Sequence, residues 1–434
     1  MRYSLKEVFA QVTNPVGRRE LLVRQGRRLW PLLRPLAAGY RRMCLPSTVM
    51  VAVVGSLGKS TTMRAVAAAL GLPVPNVPPG NSWSMLAFSL LTIRPLAGHG
   101  VLEVGVSSAG WMEQYGRMIR PDITVVTTIA SEHHRSLGTP AGIRSEKAAM
   151  VRCLPADGLA ILNGDDPHVR WMSGATRARV VTYGFDSGND IQAAEVACRW
   201  PGGNRITFRV GDRTHTIDSR MYGPCMVYPI LAGVAAGMAV GRDMERVLAA
   251  LAELEPTPGR MEIVRLDNGA WVLNDSYKGT IESVFSSLEV LGGIPAGRRI
   301  AVLGEVEDTP GSLGAVYRQV GMLSAECADA AIAVCSTNSA KFLRSGAAGS
   351  RVADAAVIHA GRGWHDAYRL LGGEVRSGDV VLLKGRRTQR LERLLLALQG
   401  AEVGCRLAAC KCSVRTCRAC PMLKTGWKGR PVTV

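Results

Sequence analysis

The sequence predicts an α/β protein in four parts. These are a P-loop central domain, a smaller Rossmann-like carboxyl-terminal domain, a short helical amino-terminal segment and a cysteine-rich tail. Three observations predict it. Short apolar runs rich in Val and Ile alternate with helical stretches from Thr48 to about Gln399, the pattern of parallel sheets covered on both faces. The first run, Val51-Ala52-Val53-Val54, opens through Gly55-Ser56-Leu57-Gly58-Lys59-Ser60-Thr61-Thr62 into a helical stretch starting at Met63. Apolar residues make up 47% of the chain and aromatics only 5%, which suits cores built of Ala, Val and Leu. A length of 434 residues corresponds to two or three domains. The expected divisions are residues 1–46, 47–294, 295–400 and 401–434.

Residues 1–46 read as helical, with Leu21-Leu22-Val23, Leu29-Trp30 and Leu32-Leu33 set among arginines. Pro31 and Pro35 speak against one continuous helix. Ten Lys or Arg against two acids make this a basic segment, expected to lie on a membrane surface, on the next domain or against a protein partner. The strand–loop–helix that follows turns free backbone N–H groups and the positive end of a helix dipole toward one point, where an anion can sit. It is the short form Gly-x-x-Gly-Lys-Ser, because Val53 stands where the longer motif carries its first glycine. Gly55, Ser56, Gly58 and Thr61 are the expected phosphate cradle, Lys59 the side chain that reaches the outer phosphates, and Ser60 a Mg²⁺ ligand.

A second strand ends in Glu103 within Gly100-Val101-Leu102-Glu103-Val104-Gly105, and a third covers residues 123–129 before the polar loop 130–140. Ligands of open α/β sheets collect beyond the carboxyl ends of the strands. If the strands run parallel, Glu103 and His133 share that edge with Lys59, giving a carboxylate and an imidazole beside the phosphates as metal-assisted phosphoryl transfer requires. His134 next to His133 leaves the register of the imidazole open. Strands at 159–163 and 180–183, antiparallel alternation over 191–218 and a helical stretch over 230–254 follow. The strand 272–276 contains Asp275 near its end, Pro295-Ala296-Gly297 reads as a linker, and a second alternating unit starts at Arg299.

Composition narrows the function classes. No apolar run reaches membrane-spanning length, and the amino terminus lacks the apolar core of a secretory signal. Eleven cysteines, six of them scattered singly, suit a reducing compartment. The expectation is a cytoplasmic protein, peripheral to a membrane at most. The formal net charge of +18 concentrates in the two ends, residues 401–434 carrying seven Lys or Arg against one acid. Neither end contains a recognisable nucleic-acid module, which makes nucleic acid an unlikely partner.

Several separate blocks follow one another in a familiar order. They are residues 55–62, Glu103-Val104-Gly105, Arg120-Pro121-Asp122-Ile123, Lys147, Leu162-Asn163-Gly164-Asp165-Asp166-Pro167, Pro258-Gly259-Arg260-Met261-Glu262, Asn274-Asp275-Ser276-Tyr277 and Leu382-Leu383-Lys384-Gly385. Over roughly residues 50–400 the chain resembles the Mur ligases, ATP-dependent amide-forming enzymes, and among them the branch that adds D-alanyl-D-alanine to the muramoyl tripeptide. The resemblance implies that ATP phosphorylates a substrate carboxylate and that an amine displaces the phosphate. It implies Ser60 and Glu103 as ligands of one Mg²⁺, and His133 and Lys147 as a second-metal pair, the lysine being carbamylated in many members. It further implies that Arg260 contacts phosphate and Asp275 the ribose, so that Lys59, His133, Lys147 and Arg260 form the catalytic set. Lys384 and Arg387 are candidates for contact with the amine.

Three departures qualify what is implied. Only a basic 46-residue segment precedes the P-loop domain where the family has a UDP-sugar domain, so a carboxylate other than the muramoyl tripeptide is expected. Family asparagines near the base are replaced: the Thr-Asn-Ile block reads Thr127-Thr128-Ile129, and Lys278 and Met226 stand in other such blocks. ATP remains the expected nucleotide. The tail is additional, and its Cys410, Cys412, Cys417 and Cys420 in the spacing Cys-x-Cys-x₄-Cys-x₂-Cys suggest a Zn²⁺ site, with an Fe–S cluster or free thiols as alternatives. The expected activity is ATP-dependent joining of an amino acid or amine to a small-molecule carboxylate. A poly-γ-glutamate-synthetase-like polymerising ligase and a non-catalytic nucleotide-binding regulatory partner are the alternatives.

Overall fold

A computed structural model describes residues 13–76, 80–106, 108–132, 134–349, 356–412, 414 and 416–426. The chain forms two compact units, Arg27–Thr257 and Met1–Gly26 with Pro258–Val434. The described chain opens with helix α1 (Pro15–Arg28) and, after a break at Leu29, α2 (Trp30–Cys44). Pro31 sits in the first turn of α2, where its missing N–H costs no helical bond, and Pro35 is accommodated inside the helix.

The first unit runs β1 (Val49–Val54), α3 (Lys59–Ala69), α4 (Trp83–Leu91), β2 (His99–Glu103), α5 (Trp111–Ile119) and β3 (Ile123–Val126). It continues with α6 (His134–Leu137), α7 (Pro140–Arg152), β4 (Leu159–Asn163), α8 (Pro167–Arg170) and β5 (Arg179–Gly184). The meander β6 (Ile191–Arg199), β7 (Gly203–Val210) and β8 (Arg213–Ser219) and the helices α9 (Val227–Ala239) and α10 (Met244–Ala252) complete it. The eight strands lie in the order β2-β1-β3-β4-β5-β6-β7-β8, parallel up to β6 and antiparallel beyond.

The central strand shows why the sheet is covered twice. Met50, Ala52 and Val54 pack into a core with Leu86, Leu90 and Tyr115. Val51 and Val53, pointing the other way, pack with Val66, Ile230 and Leu251. A strand buried on both faces needs the continuous apolar run that residues 50–54 supply. Helix α3 is buried along its length and lies against α9, where Gly233 allows close approach: a Cβ there would stand 3.2 Å from the carbonyl oxygen of Ala65.

The second unit has β9 (Glu262–Arg265), β10 (Trp271–Asp275), α11 (Ile281–Gly292), β11 (Arg298–Leu303), α12 (Leu313–Cys327) and β12 (Ala330–Ala333). After these come α13 (Thr337–Ala347), β13 (Ala356–His359), α14 (Trp364–Leu371), β14 (Asp379–Lys384) and α15 (Glu392–Leu398). Its sheet has the order β13-β12-β11-β14-β10-β9, with only β9 antiparallel to its neighbour. The structure places the division between the units at residues 257 and 258, whereas the sequence reading put it at 294 and 295. The reason is long-range pairing, because β10 adds to this sheet through β14, in the register Asp275 to Lys384. Pro295-Ala296-Gly297 is accordingly a turn inside the unit, leading from α11 to β11.

The expected tail domain is a loop folded onto α15. Arg390 donates to the carbonyl of Cys412 (2.9 Å) and also to that of Val414 (2.5 Å). Arg393 donates to those of Cys405 (3.3 Å) and Leu407 (2.6 Å). Val16 at the start of α1 packs with Cys412 and Val414, and Asn14 Nδ2 contacts the Met422 sulfur at 3.4 Å.

Candidate active site

At the head of β1 the chain enters the loop at Gly55, whose φ of +142° suits glycine. An added Cβ would lie 1.9 Å from Thr127 Oγ1. That hydroxyl is needed where it is, because it donates to the carbonyl of Leu57 at 2.6 Å and so ties the loop to the end of β3. Ser56 N–H donates to the carbonyl of Thr128 at 2.6 Å, a second tie to the same segment. Gly55→Ala is expected to cost on the order of 3 kcal/mol in unfolding free energy, read as a lower urea midpoint, through both clash and backbone strain.

Gly58 caps α3 with φ +79°, leaving the N–H groups of Lys59, Ser60 and Thr61 in the first turn without helical acceptors. Lys59 and Ser60 are buried beside this turn. The Lys59 ammonium donates to the carbonyl of Ser56 (2.7 Å) and pairs with Glu132 (3.1 Å). Lys147, 1% exposed on α7, donates to the carbonyl of Gly55 and to Ser56 Oγ at 3.2 Å, and its ammonium is 3.9 Å from Glu132. The loop is therefore held from both sides by lysines that share one buried carboxylate. The Thr61 hydroxyl is turned to Thr257 Oγ1 at 3.1 Å, so Thr61 contributes its backbone to the turn.

Glu103 ends β2, paired in register with Val53 and buried, and its carboxylate accepts from Asn81 Nδ2 at 2.6 Å. The parallel pairing of β2 and β3 with β1 brings Glu103, Glu132 and the loop to one edge of the sheet. The structure thus gathers Lys59, Ser60, Glu103 and Lys147 there, and His133 lies outside the described residues. Ser60 and Glu103 fit Mg²⁺ by donor chemistry. Both offer hard oxygens, and Mg²⁺ is usually held by one or two protein oxygens together with substrate phosphates.

Sequence reasoning missed Glu132 and Asn81. Glu132 carried a usable signal, being the one acid in the polar loop 130–140 beyond a parallel strand. Asn81 lay in a stretch that reads only as a turn. Thr128, at a position where the family has asparagine, donates to Asp166 Oδ2 at 2.6 Å, and Asp166 in turn caps α8. That side chain now braces two strand ends.

In the second unit, Asp275 accepts from Ser287 Oγ (2.6 Å) and pairs with Lys384. Arg260 stacks its guanidinium over the Tyr277 ring at 4.6 Å. Lys384 is 1% exposed and its ammonium is paired with Asp275. Arg386, two residues on, shares Glu305 with Arg362, which contacts it at 2.6 Å.

The Zn²⁺ expectation is corrected by the tail. Among the described residues no group of three or more His, Cys, Asp or Glu side chains could hold a metal ion. The physical reason is that the guanidinium groups of Arg390 and Arg393 organise the tail by hydrogen bonds to its carbonyls, a task a metal would otherwise perform. Cys410 and Cys412 form a thiol pair instead. A hydrogen bond from Cys412 holds the Cys410 pKa below the ordinary thiol range, assisted by Arg390 and Arg393, while that of Cys412 is raised. Burial raises Cys335 to about 12. Alkylation by iodoacetamide, followed by peptide mass, should label Cys410 down to a lower pH than an ordinary thiol, because its thiolate persists at lower pH. Cys335 should stay unlabelled in the folded protein.

A Gly-x-x-Gly-Lys-Ser turn at the head of an open parallel sheet, flanked by buried lysines and acids, places the chain among the P-loop nucleotide-dependent enzymes. Residues 53–237 match the Mur ligase middle domain, and residues 259–387 match the Mur ligase, glutamate ligase domain. The chain belongs to the Mur ligase family, whose members are ATP-dependent acid–amino-acid ligases. It is 27% identical over 375 residues to UDP-N-acetylmuramoyl-tripeptide–D-alanyl-D-alanine ligase of Bacillus subtilis, covering 84% of this chain and 78% of that protein. With the Escherichia coli ligase of the same name the identity is 26% over 367 residues, covering 83% and 79%. Among solved structures, MurF from Acinetobacter baumannii superposes with a TM-score of 0.75 at 20% identity, covering 86% of this chain and 80% of that one. MurF from Thermotoga maritima in complex with ADP gives 0.75 at 22% identity, covering 86% and 83%. At these identities the structures speak for the fold.

Proposed function

We propose that the protein uses ATP to join an amino acid or small amine to a small-molecule carboxylate through an acyl phosphate. The carboxylate oxygen attacks the γ-phosphorus, and the bond to the β,γ-bridging oxygen breaks with release of ADP. The amine nitrogen then attacks the acyl carbon, phosphate leaves with the C–O bonding pair, and the nitrogen loses a proton. The observation that carries this reading is the pair of buried ammonium groups, Lys59 and Lys147, set against the Gly55–Ser56 turn and sharing Glu132. Bringing a carboxylate to a polyphosphate is opposed by charge repulsion, and fixed cations in a dry site offset it without reorganising.

In this proposal the first-turn N–H groups of α3 hold the β-phosphate, and Lys59 exchanges Glu132 for the γ-phosphate when nucleotide arrives. Ser60 and Glu103 would hold Mg²⁺, which supplies charge neutralisation between the phosphates. Arg260 on phosphate and Asp275 on ribose remain part of the proposal as the family resemblance implies them. His133 with Lys147 would form a second-metal pair only after carbamylation of Lys147. That change would replace its ammonium by a carboxylate-like ligand and leave Lys59 and the metal ions as the fixed cations. ATP as the nucleotide is supported by family membership and by the ADP complex of the Thermotoga maritima relative.

The test is a panel of carboxylates and amines scored for phosphate release and for product mass. The muramoyl tripeptide with D-alanyl-D-alanine, the pair in the relatives' names, is its first arm. The expectation is amine-dependent phosphate release with a product heavier by the amine minus water, from a carboxylate other than that tripeptide. Products lengthening by one residue at a time would mark a polymerising ligase. Nucleotide binding without amine-dependent release across the panel would overturn the enzymatic reading and favour a regulatory role.

A further inference from the structure

Helix α2 is anchored by one face and bare on the other. Its anchored face carries Trp30, packed edge-on against Trp83 (6.1 Å) and Tyr115 (5.7 Å), and Ala37, fully buried. Arg41 completes it, donating to the carbonyl of Ile119 at 2.9 Å and pairing with Asp122 at 3.0 Å. The bare face carries Leu29, Leu32, Leu36 and Met43, which are 47%, 69%, 59% and 77% exposed. At helical spacing these four fall within about 60° of the circumference, a single stripe running the length of the helix. Leu96, 90% exposed, lies in the turn after α4. That turn is bound to α2 by Tyr40 Oη donating to the carbonyl of Ile93 (2.6 Å), and to the residue before β1 by Thr48 Oγ1 donating to the carbonyl of Ala97 (2.7 Å).

Charge selects the occupant. From residue 21 to residue 102 the chain contains nine Lys or Arg and not one Asp or Glu. Arg28, Arg42 and Arg94 are exposed on the same helices and turns as the apolar stripe, whereas Arg34 lies on the anchored side and donates to Gln114 Oε1. A protein partner or a second copy of this chain would need acids to meet that surface, and this chain's corresponding stretch has none to offer itself. A bilayer with anionic headgroups offers both halves of the match, acyl chains for the leucines and phosphates for the arginines. We propose that the α2 face docks this unit on an anionic membrane surface, with Leu29, Leu32, Leu36 and Met43 entering the interface and the flanking arginines at the headgroups. None of these residues belongs to the phosphate loop, so the docking stands or falls separately from the ligase chemistry.

The test uses the full chain in vesicle flotation, with phosphatidylcholine alone and with about three-tenths phosphatidylglycerol. Expected is flotation with the anionic vesicles only, weakened in about 0.5 M NaCl, where surface charge is screened. Leu32→Glu with Leu36→Glu should weaken it at least about tenfold while melting temperature and ATP hydrolysis stay as in the parent, since both side chains are exposed. Leu32→Ser with Leu36→Ser, tested alongside, should weaken binding in the same direction without adding negative charge. Three results would overturn the proposal. The first is equal flotation with neutral vesicles or none with anionic ones. The second is parental binding by both double variants, which would assign the interaction to the basic chain ends alone. The third is a parent dimer that either double variant splits in sedimentation, which would make a second copy the occupant. A duplex oligonucleotide that binds tighter than the vesicles and is lost in the same variants would overturn it too.

Discussion

Lys59→Ala should lower ATP-dependent product formation by on the order of 10² or more, equivalent to several kcal/mol of transition-state stabilisation. The side chain is buried at the mouth of the α3 turn, so no neighbouring surface cation can swing in to replace it. Its loss from a buried ion pair would ordinarily destabilise the fold by about 3–5 kcal/mol. Here Glu132 keeps Lys147, 3.9 Å away, as a second cation, which limits that cost. The expected pattern is therefore a large fall in turnover with a modest fall in melting temperature. Lys59→Arg should not restore activity, because a planar guanidinium cannot occupy the space that a compact ammonium fills between the Ser56 carbonyl and Glu132. Steady-state kinetics with circular dichroism on the same samples check the prediction, and turnover within a few-fold of the parent would remove Lys59 from the reaction.

What could be read from the sequence follows how local each feature is. The loop 55–62 is contiguous, and strand, turn and helix each have their own signal, so its geometry was legible residue by residue. Glu103 was legible because an acid closing an apolar run marks a strand end, and parallel pairing then fixes its edge. Lys147 was not legible from its surroundings. A lysine on a helix is ordinarily solvated, and only family order set it apart before the structure showed it buried on the loop. Membership of β10 in the second sheet was hidden because its partner β14 is more than a hundred residues away, and the local sequence of a strand does not say which sheet it joins. Cysteine spacing misled for a related reason. It records where thiols occur along the chain, while the groups that order the tail are two arginines preceding it.

Arg393 carries the second large prediction. It is fully buried on α15, and its guanidinium donates to the carbonyls of Gln389 (2.9 Å), Arg390 (3.2 Å), Cys405 (3.3 Å) and Leu407 (2.6 Å) and to Cys405 Sγ (3.3 Å). Arg393→Ala leaves those carbonyls without their donor and opens a cavity beside Trp364, whose ring centroid lies 6.0 Å from the guanidinium. The expected loss is about 3–5 kcal/mol of stability in the second unit, seen as a lower urea midpoint and as early proteolysis within residues 405–426. Arg393→Met, which fills the volume without the donors, should fall between Ala and the parent, and Arg393→Lys should not restore the midpoint because one ammonium cannot serve four carbonyls in fixed directions. The same change has a chemical readout. Arg393 helps hold the Cys410 thiol pKa down, so in Arg393→Met the fall in alkylation rate with falling pH should set in at a higher pH than in the parent. A stable Arg393→Ala protein with an unchanged Cys410 profile would show that the tail is held by its apolar contacts with Val16 and Met422, and not by the guanidinium.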